Sequence, residues 1–161
     1  MNELTIRRAC VADAETLASF NERMAWETEH LTLDAERIRQ GVWAVLNDES
    51  KGFYLVAERD QRVAGQLMVT YEWSDWRNGT FWWIQSVYVH PDYRGQGIYS
   101  GLYRHLERLA RQTPGVCGLR LYVEQDNDRA CEVYQRLGMT ITPYRMLELD
   151  FVIRWPDAAA R

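Results

Sequence analysis

The sequence predicts a single α/β domain, and three observations carry that prediction. Runs rich in β-branched and aromatic residues alternate with segments of helical period. The length of 161 residues, at roughly 150 per domain, leaves room for one ordinary core. An apolar run over residues 80–89 leads through two glycines into an amphipathic helix. Composition agrees: with 47% apolar and 26% charged residues and seven Trp, nine Tyr and four Phe, the chain lies far from disordered sequences. A domain of this size buries about 70% of its unfolded surface, so neither a disulfide framework nor a structural metal is required.

In order along the chain, Leu4 and Ile6 alternate with polar neighbours and give a first strand. Asp13 is placed to cap a helix that carries Leu17, Phe20 and Met24 at helical spacing, and Asp34 to cap a second with Ile38, Val42, Val45 and Leu46. Residues 26–30, between the two, have no period and are expected as a loop or a frayed turn. Residues 53–58 and 63–71 are strand-like and are joined by the polar tetrapeptide Arg59-Asp60-Gln61-Arg62. Asn78-Gly79 marks a turn before the run to Val89, which Pro91 ends. A helix over about 97–111, a strand over 119–124 and a helix over about 129–137 stopped by Gly138 come next. One or two closing strands are expected over 140–153, broken at Pro143. The domain should occupy 1–155, with 156–161 as a disordered tail.

Charge and residue types exclude several classes of function. Nineteen Lys and Arg against 23 Asp and Glu leave a net charge of −4, with no cationic run. A polyanion needs a concentrated basic face, so nucleic acid is not expected as a partner, even with tryptophans available for stacking. Of the nineteen cations only Lys51 is a lysine. Cys10, Cys117 and Cys131 are odd in number and form no C-x-x-C, which reads as small core residues in a reducing cytosol. His30, His90 and His105 share no metal-ligand spacing, and no Ser/His/Asp or Cys/His grouping stands out, so neither a metal nor a covalent nucleophile is expected. The first residues do not resemble a signal peptide and no apolar run approaches 18 residues, which favours a cytoplasmic protein without a membrane partner.

One segment carries chemistry. Arg94-Gly95-Gln96-Gly97-Ile98 lies between a buried strand and an amphipathic helix, where glycines let the backbone turn N–H groups outward and the helix start adds unpaired amides and a positive dipole end. Such a loop binds phosphate. It also serves as a plain strand-to-helix turn, and the dinucleotide G-x-G-x-x-G pattern fails because Ser100 stands where its third glycine would be. What the segment matches is Q/R-x-x-G-x-G/A, with Arg94 first, Gly97 fourth and Tyr99 sixth in place of the usual small residue. The wider string from Ile84 to Leu102, and a second block running Leu119-Arg-Leu-Tyr-Val-Glu-Gln-Asp-Asn127, Ala130, Tyr134, Leu137-Gly138-Met139, resemble the two central blocks of the GNAT (GCN5-related) N-acetyltransferase superfamily.

That resemblance, spanning about 3–152, implies the GNAT fold: a central mixed, mostly antiparallel sheet with helices on both faces, splayed between its fourth and fifth strands near Val87 to Val89. It implies acetyl-CoA as co-substrate and an amine as acceptor. The backbone of Val87, Tyr88 and Val89 would hold the pantetheine, and the amides of Arg94, Gly95, Gln96, Gly97, Ile98, Tyr99 and Ser100 the pyrophosphate. In a helix first turn the Tyr99 ring can point away while its amide still donates. Asn127 is open to two roles, helix cap or pantetheine contact, and Tyr134 would protonate the departing thiolate or pack on its helix. A phenol near 10 and a thiol near 8.5 make that transfer mildly uphill without positioning. For the base, Glu27 and Glu72 stand out among Glu29, Asp75, Glu124 and Gln85 acting through water. With Trp26, Trp73 and Trp76 they are expected to line an acceptor pocket suited to a cationic amine. The tryptophans also suit core or a homodimer interface, and a non-catalytic acyl-CoA sensor on the same fold is the alternative function.

Overall fold

A computed structural model describes residues 4–124 and 127–153. They fall into two compact units, Met1–Tyr122 and Val123–Arg161.

The first unit is built on a five-stranded sheet in sequence order: β1 (Thr5–Arg8), β2 (Phe53–Arg59), β3 (Arg62–Ser74), β4 (Gly79–Val89) and β5 (Val116–Arg120). The first four pair antiparallel, and β5 joins β4 in parallel. The β2–β3 hairpin is tighter than the polar tetrapeptide suggests. Arg59 pairs with Arg62, and only Asp60 and Gln61 form the turn, both at positive φ (54° and 58°). Two left-handed residues match the twist of the flanking strands.

Helices cover both faces. On one, α1 (Ala14–Glu29) and α2 (Ala35–Asn47) bury Ala14, Leu17, Ala18, Val42 and Val45 against Tyr54 and Val56 of β2. Asp34 caps α2 as expected, accepting from the Arg37 N–H at 2.7 Å. Asp13 does not cap α1. Its carboxylate turns back to the Cys10 N–H (2.8 Å) and to Arg7 of β1, closing the short turn that precedes the helix. Arg7 and the Cys10 amide hold that carboxyl below the ordinary range. On the other face, α3 (Ile98–Gln112) buries Ile98, Leu102 and Leu106, and by strand alternation Leu55, Leu67 and Val69 point the same way.

Residues 26–30 are not a loop. Nothing in Trp26-Glu27-Thr28-Glu29 breaks a helix, so α1 runs to Glu29 and ends at His30, a left-handed residue (φ 52°), where the Leu31 N–H reaches back to the Ala25 carbonyl. The polar turn lacks a period because it faces solvent instead of core. The loop into β2 holds Lys51, whose ammonium is paired with Asp48; that contact, with bonds from Ser50, brings Asp48 down to about 2.

In the second unit α4 (Asp128–Arg136) is followed by Gly138 in the left-handed region (φ 91°), as its position predicts. The expected closing strands are absent from the described residues: 140–153 join no ladder, and Asp150 instead folds a local turn by accepting from the Val152 and Ile153 amides. An alternating pattern makes a strand only where a partner supplies its hydrogen bonds, and Pro143 donates none. The expected tail, 156–161, lies outside the described residues.

One glycine fixes how α3 meets the sheet. A Cβ on Gly65, which pairs with Val89, would stand 2.9 Å from the Tyr88 carbonyl oxygen and 3.0 Å from the Ile98 side chain. Gly65→Ala is therefore expected to lower stability by about 1–3 kcal/mol, read as a reduced urea midpoint with an unchanged slope.

Candidate functional site

The site begins where β4 loses a neighbour. Its parallel ladder with β5 runs from Thr80↔Val116 to Trp83↔Arg120 and extends no further among the described residues, while the β3 ladder continues to Gly65↔Val89. From Ile84 onward β4 thus offers one edge of backbone N–H and C=O groups, and the divergence starts before Val87. Gln85 is an extra residue between Met68↔Ser86 and Val69↔Ile84. Such a bulge resets alternation. Val87 and Val89 turn toward the α3 face with Leu67, and Tyr88 toward α1 with Gln66.

After Val89 a short turn, Pro91–Tyr93, delivers the glycine loop. Gly95 and Gly97 are both left-handed (φ 74° and 78°), with open space where a Cβ would be, so backbone conformation and not packing demands them. Gly97 caps α3 with no side-chain hydrogen bond, whereas Asp34 and Asn127 cap α2 and α4. The first amides of α3, at Ile98, Tyr99 and Ser100, thus face no capping side chain at the positive end of a 15-residue helix. The Tyr99 ring lies along the helix, 6.4 Å from that of Tyr103, and not across the loop. Gln96 braces the outside of the loop: it accepts from Arg59 Nη1 (2.6 Å) and donates to the Asp92 carbonyl (2.9 Å). Arg59 was not foreseen.

The Arg94 side chain has a partner that spacing could not show. Its Nε donates to the Val89 carbonyl (2.9 Å) and its Nη2 meets Glu27 Oε2 of α1 at 2.5 Å. Tyr88 donates to the other oxygen of the same carboxylate at 2.8 Å. Arg94 foremost, and Tyr88 with it, holds the Glu27 carboxyl below the usual range, while burial followed by the neighbouring carboxylate raises the Tyr88 phenol. Glu27 is therefore placed beside the glycine loop, by the longer course of α1. That course is set by a buried polar chain: Gln66 Nε2 donates to Asn21 Oδ1 (2.9 Å), and Asn21 Nδ2 to the Tyr54 hydroxyl (3.2 Å).

Glu72 occupies a second position on the same face. It accepts from Trp83 Nε1 and from Arg120 Nη1, and Arg120 also lies over the Phe81 ring at 3.8 Å. Beside this group Gln85 Nε2 donates to Thr70 Oγ1 (2.7 Å), and Trp83 and Tyr122 stand 5.9 Å apart. The expected grouping of Glu72 with Trp73 and Trp76 is not found. β3 continues to Ser74, so alternation sends Trp73 (63% exposed) to the opposite face, and Trp76 sits on the turn beyond the strand. Thr70, Trp83, Arg120 and Tyr122 are the members sequence reasoning missed.

In the second unit Asn127 Oδ1 accepts from the Ala130 N–H at 3.1 Å, so the cap role is the one filled, and Tyr134 lies on α4. Among the described residues no group of three His, Cys, Asp or Glu has the arrangement of a metal site, and no helix is long and apolar enough to cross a membrane.

The arrangement offers an extended backbone edge running into an anion-receptive loop, with two arginine-paired carboxylates on the α1 face. The Glu27 pair fixes a pH dependence. Because its folded value lies below the unfolded one, its stabilisation is complete above about pH 4.5 and is lost as pH falls through the lower folded value. Glu27→Gln should cost at most about 1 kcal/mol at pH 7 and make the acid limb of a stability–pH curve shallower.

The model of the Acetyltransferase (GNAT) family matches residues 12–139. The mycothiol acetyltransferase of Corynebacterium aurimucosum is 30% identical over 137 residues, which is 80% of this chain and 43% of that protein, so the chain spans less than half of that curated relative. A possible acetyltransferase from Clostridium difficile 630 superposes with a TM-score of 0.86 at 43% identity, covering 93% of this chain and 99% of that one. An aminoglycoside N-acetyltransferase solved with CoA shares the fold at a TM-score of 0.76 and 13% identity, over 94% and 97% of the two chains. With a family match across most of its length, and the bare β4 edge and glycine loop in place, the chain belongs to the GNAT family of acetyltransferases.

Proposed function

We propose that this chain moves an acetyl group from acetyl-CoA to a primary amine by direct attack. The observation that carries the reading is the continuity between the unpaired edge of β4 and the glycine loop, in a chain of this family. An extended pantetheine needs a strand edge, and a pyrophosphate needs converging amides. On this reading the backbone of Val87, Tyr88 and Val89 holds the pantetheine and polarises the thioester carbonyl. The amides of Arg94, Gly95, Gln96, Gly97, Ile98, Tyr99 and Ser100 hold the diphosphate. Asn127 serves as the cap of α4, through its Oδ1.

The reaction needs an unprotonated amine, whose nitrogen attacks the thioester carbon as negative charge builds on the carbonyl oxygen. Fixed backbone donors stabilise that charge without reorganisation. The carbon–sulfur bond breaks, and Tyr134 gives its proton to the departing thiolate. Glu27 and Glu72 face the acceptor side and favour a cationic amine; each already answers an arginine, so either one receives the ammonium proton only when that arginine is drawn elsewhere. Trp83, tilted against Tyr122 and bonded to Glu72, adds a ring face for the cation.

Release of free thiol, measured against a panel of amines, tests this directly. Tyr134→Phe should lower kcat at least tenfold while leaving CoA affinity nearly unchanged, and Glu72→Lys should raise the KM of a cationic acceptor far more than that of acetyl-CoA. CoA binding without thiol release from any amine would instead identify an acyl-CoA sensor.

A further inference from the structure

Arg94 opens the glycine loop, yet its guanidinium points at the Val89 carbonyl and at Glu27 on α1, not across the loop's own amides. Both charged side chains are accessible, at 48% and 36% exposure. We propose that Glu27 and Arg94 form a latch in which the α1 carboxylate and the diphosphate of the coenzyme compete for one guanidinium. The proposal rests on the reading that the loop binds CoA.

The competition is unequal. A half-exposed carboxylate–guanidinium pair is worth about 0–1 kcal/mol, while a diphosphate presents more charge and accepts two parallel N–H bonds from the planar arginine fork. When the coenzyme arrives, Arg94 can keep its Nε bond to the Val89 carbonyl while Nη2 changes partner. Glu27 then retains the Tyr88 hydroxyl, which holds the carboxylate in place, and the longer-range attraction of Arg23. An anionic oxygen on the acceptor side of β4 is thereby exposed after the coenzyme has bound, and is masked before. Glu27 acts on the coenzyme as a positioning residue working through Arg94, and the latch favours coenzyme before amine. A plain strut would behave in the opposite way: if the pair only shaped the loop for phosphate, removing the carboxylate would weaken coenzyme binding.

Titration calorimetry with Glu27→Gln, which keeps size and can still accept from Tyr88, separates the two. The latch predicts CoA binding about threefold to fivefold tighter than in the unaltered protein, the equivalent of about 1 kcal/mol, with pantetheine, which lacks the diphosphate, bound equally by both. Equal or weaker CoA binding by the variant, in folded protein, overturns the latch while leaving the coenzyme reading intact. Failure of the unaltered protein to bind CoA overturns the coenzyme reading itself. Should the variant not fold, hydrogen exchange in the unaltered protein decides: the latch requires residues 25–31 to exchange faster once CoA is added, and slower or unchanged exchange overturns it.

Discussion

β4 must satisfy two neighbours for the first part of its length and one for the rest, and the other features of the site follow from that asymmetry. Up to Trp83 each of its edges is hydrogen-bonded, to β3 on one side and β5 on the other. Beyond it the β5 side is bare among the described residues, although extended backbone groups remain strong donors and acceptors. The bulge at Gln85 falls just past that point and turns Val87 and Val89 to one face and Tyr88 to the other. One short segment thereby presents apolar side chains toward α3, a phenol toward α1, and unpaired backbone between them. A uniformly paired strand would offer no such edge.

Because an edge of this kind needs rigid surroundings, the polar contacts beneath α1 matter more for geometry than for energy. Asn21, Gln66 and Tyr54 are all buried, and a chain of amide and hydroxyl bonds contributes little net free energy relative to an apolar replacement. Its members accept few alternative positions, however, which fixes both the rotation of α1 over the sheet and the place of its last turn. Six residues beyond Asn21, that register brings Glu27 to Arg94. Tyr54 also carries the effect of this burial, its phenol being raised chiefly by desolvation.

How much of this is legible in the sequence depends on whether the signal is local. The order of strands and helices as far as α4, the caps at Asp34 and Gly138 and the glycine loop are written in short spacings, and each stands where those spacings put it; the closing strands expected after α4 do not. Register and pairing are not local. Residues 119–124 look strand-like throughout, but the ladder that defines β5 occupies Val116–Arg120 and its pairing with β4 ends at Trp83↔Arg120. Glu72 and Trp73 are adjacent in sequence and expected to line one pocket; with β3 reaching Ser74, period-two alternation alone separates them. Glu27 and Arg94 are 67 positions apart and α1 had first to be extended through a stretch with no apolar period, so their pairing had no sequence signal at all.

The choice of cation has a consequence for a protein that belongs to a family of acetyltransferases. Lys51 is its only lysine, and it stands in an ion pair with Asp48, while every other basic side chain apart from histidine is an arginine. Guanidinium groups stay protonated and are poor nucleophiles, whereas a lysine amine attacks thioesters whenever it loses its proton. A reactive acyl donor therefore meets a surface with a single side-chain amine, itself engaged by a carboxylate. Self-acylation at a side-chain amine, a hazard for any lysine-rich protein exposed to thioesters, is confined to one position remote in sequence from the glycine loop.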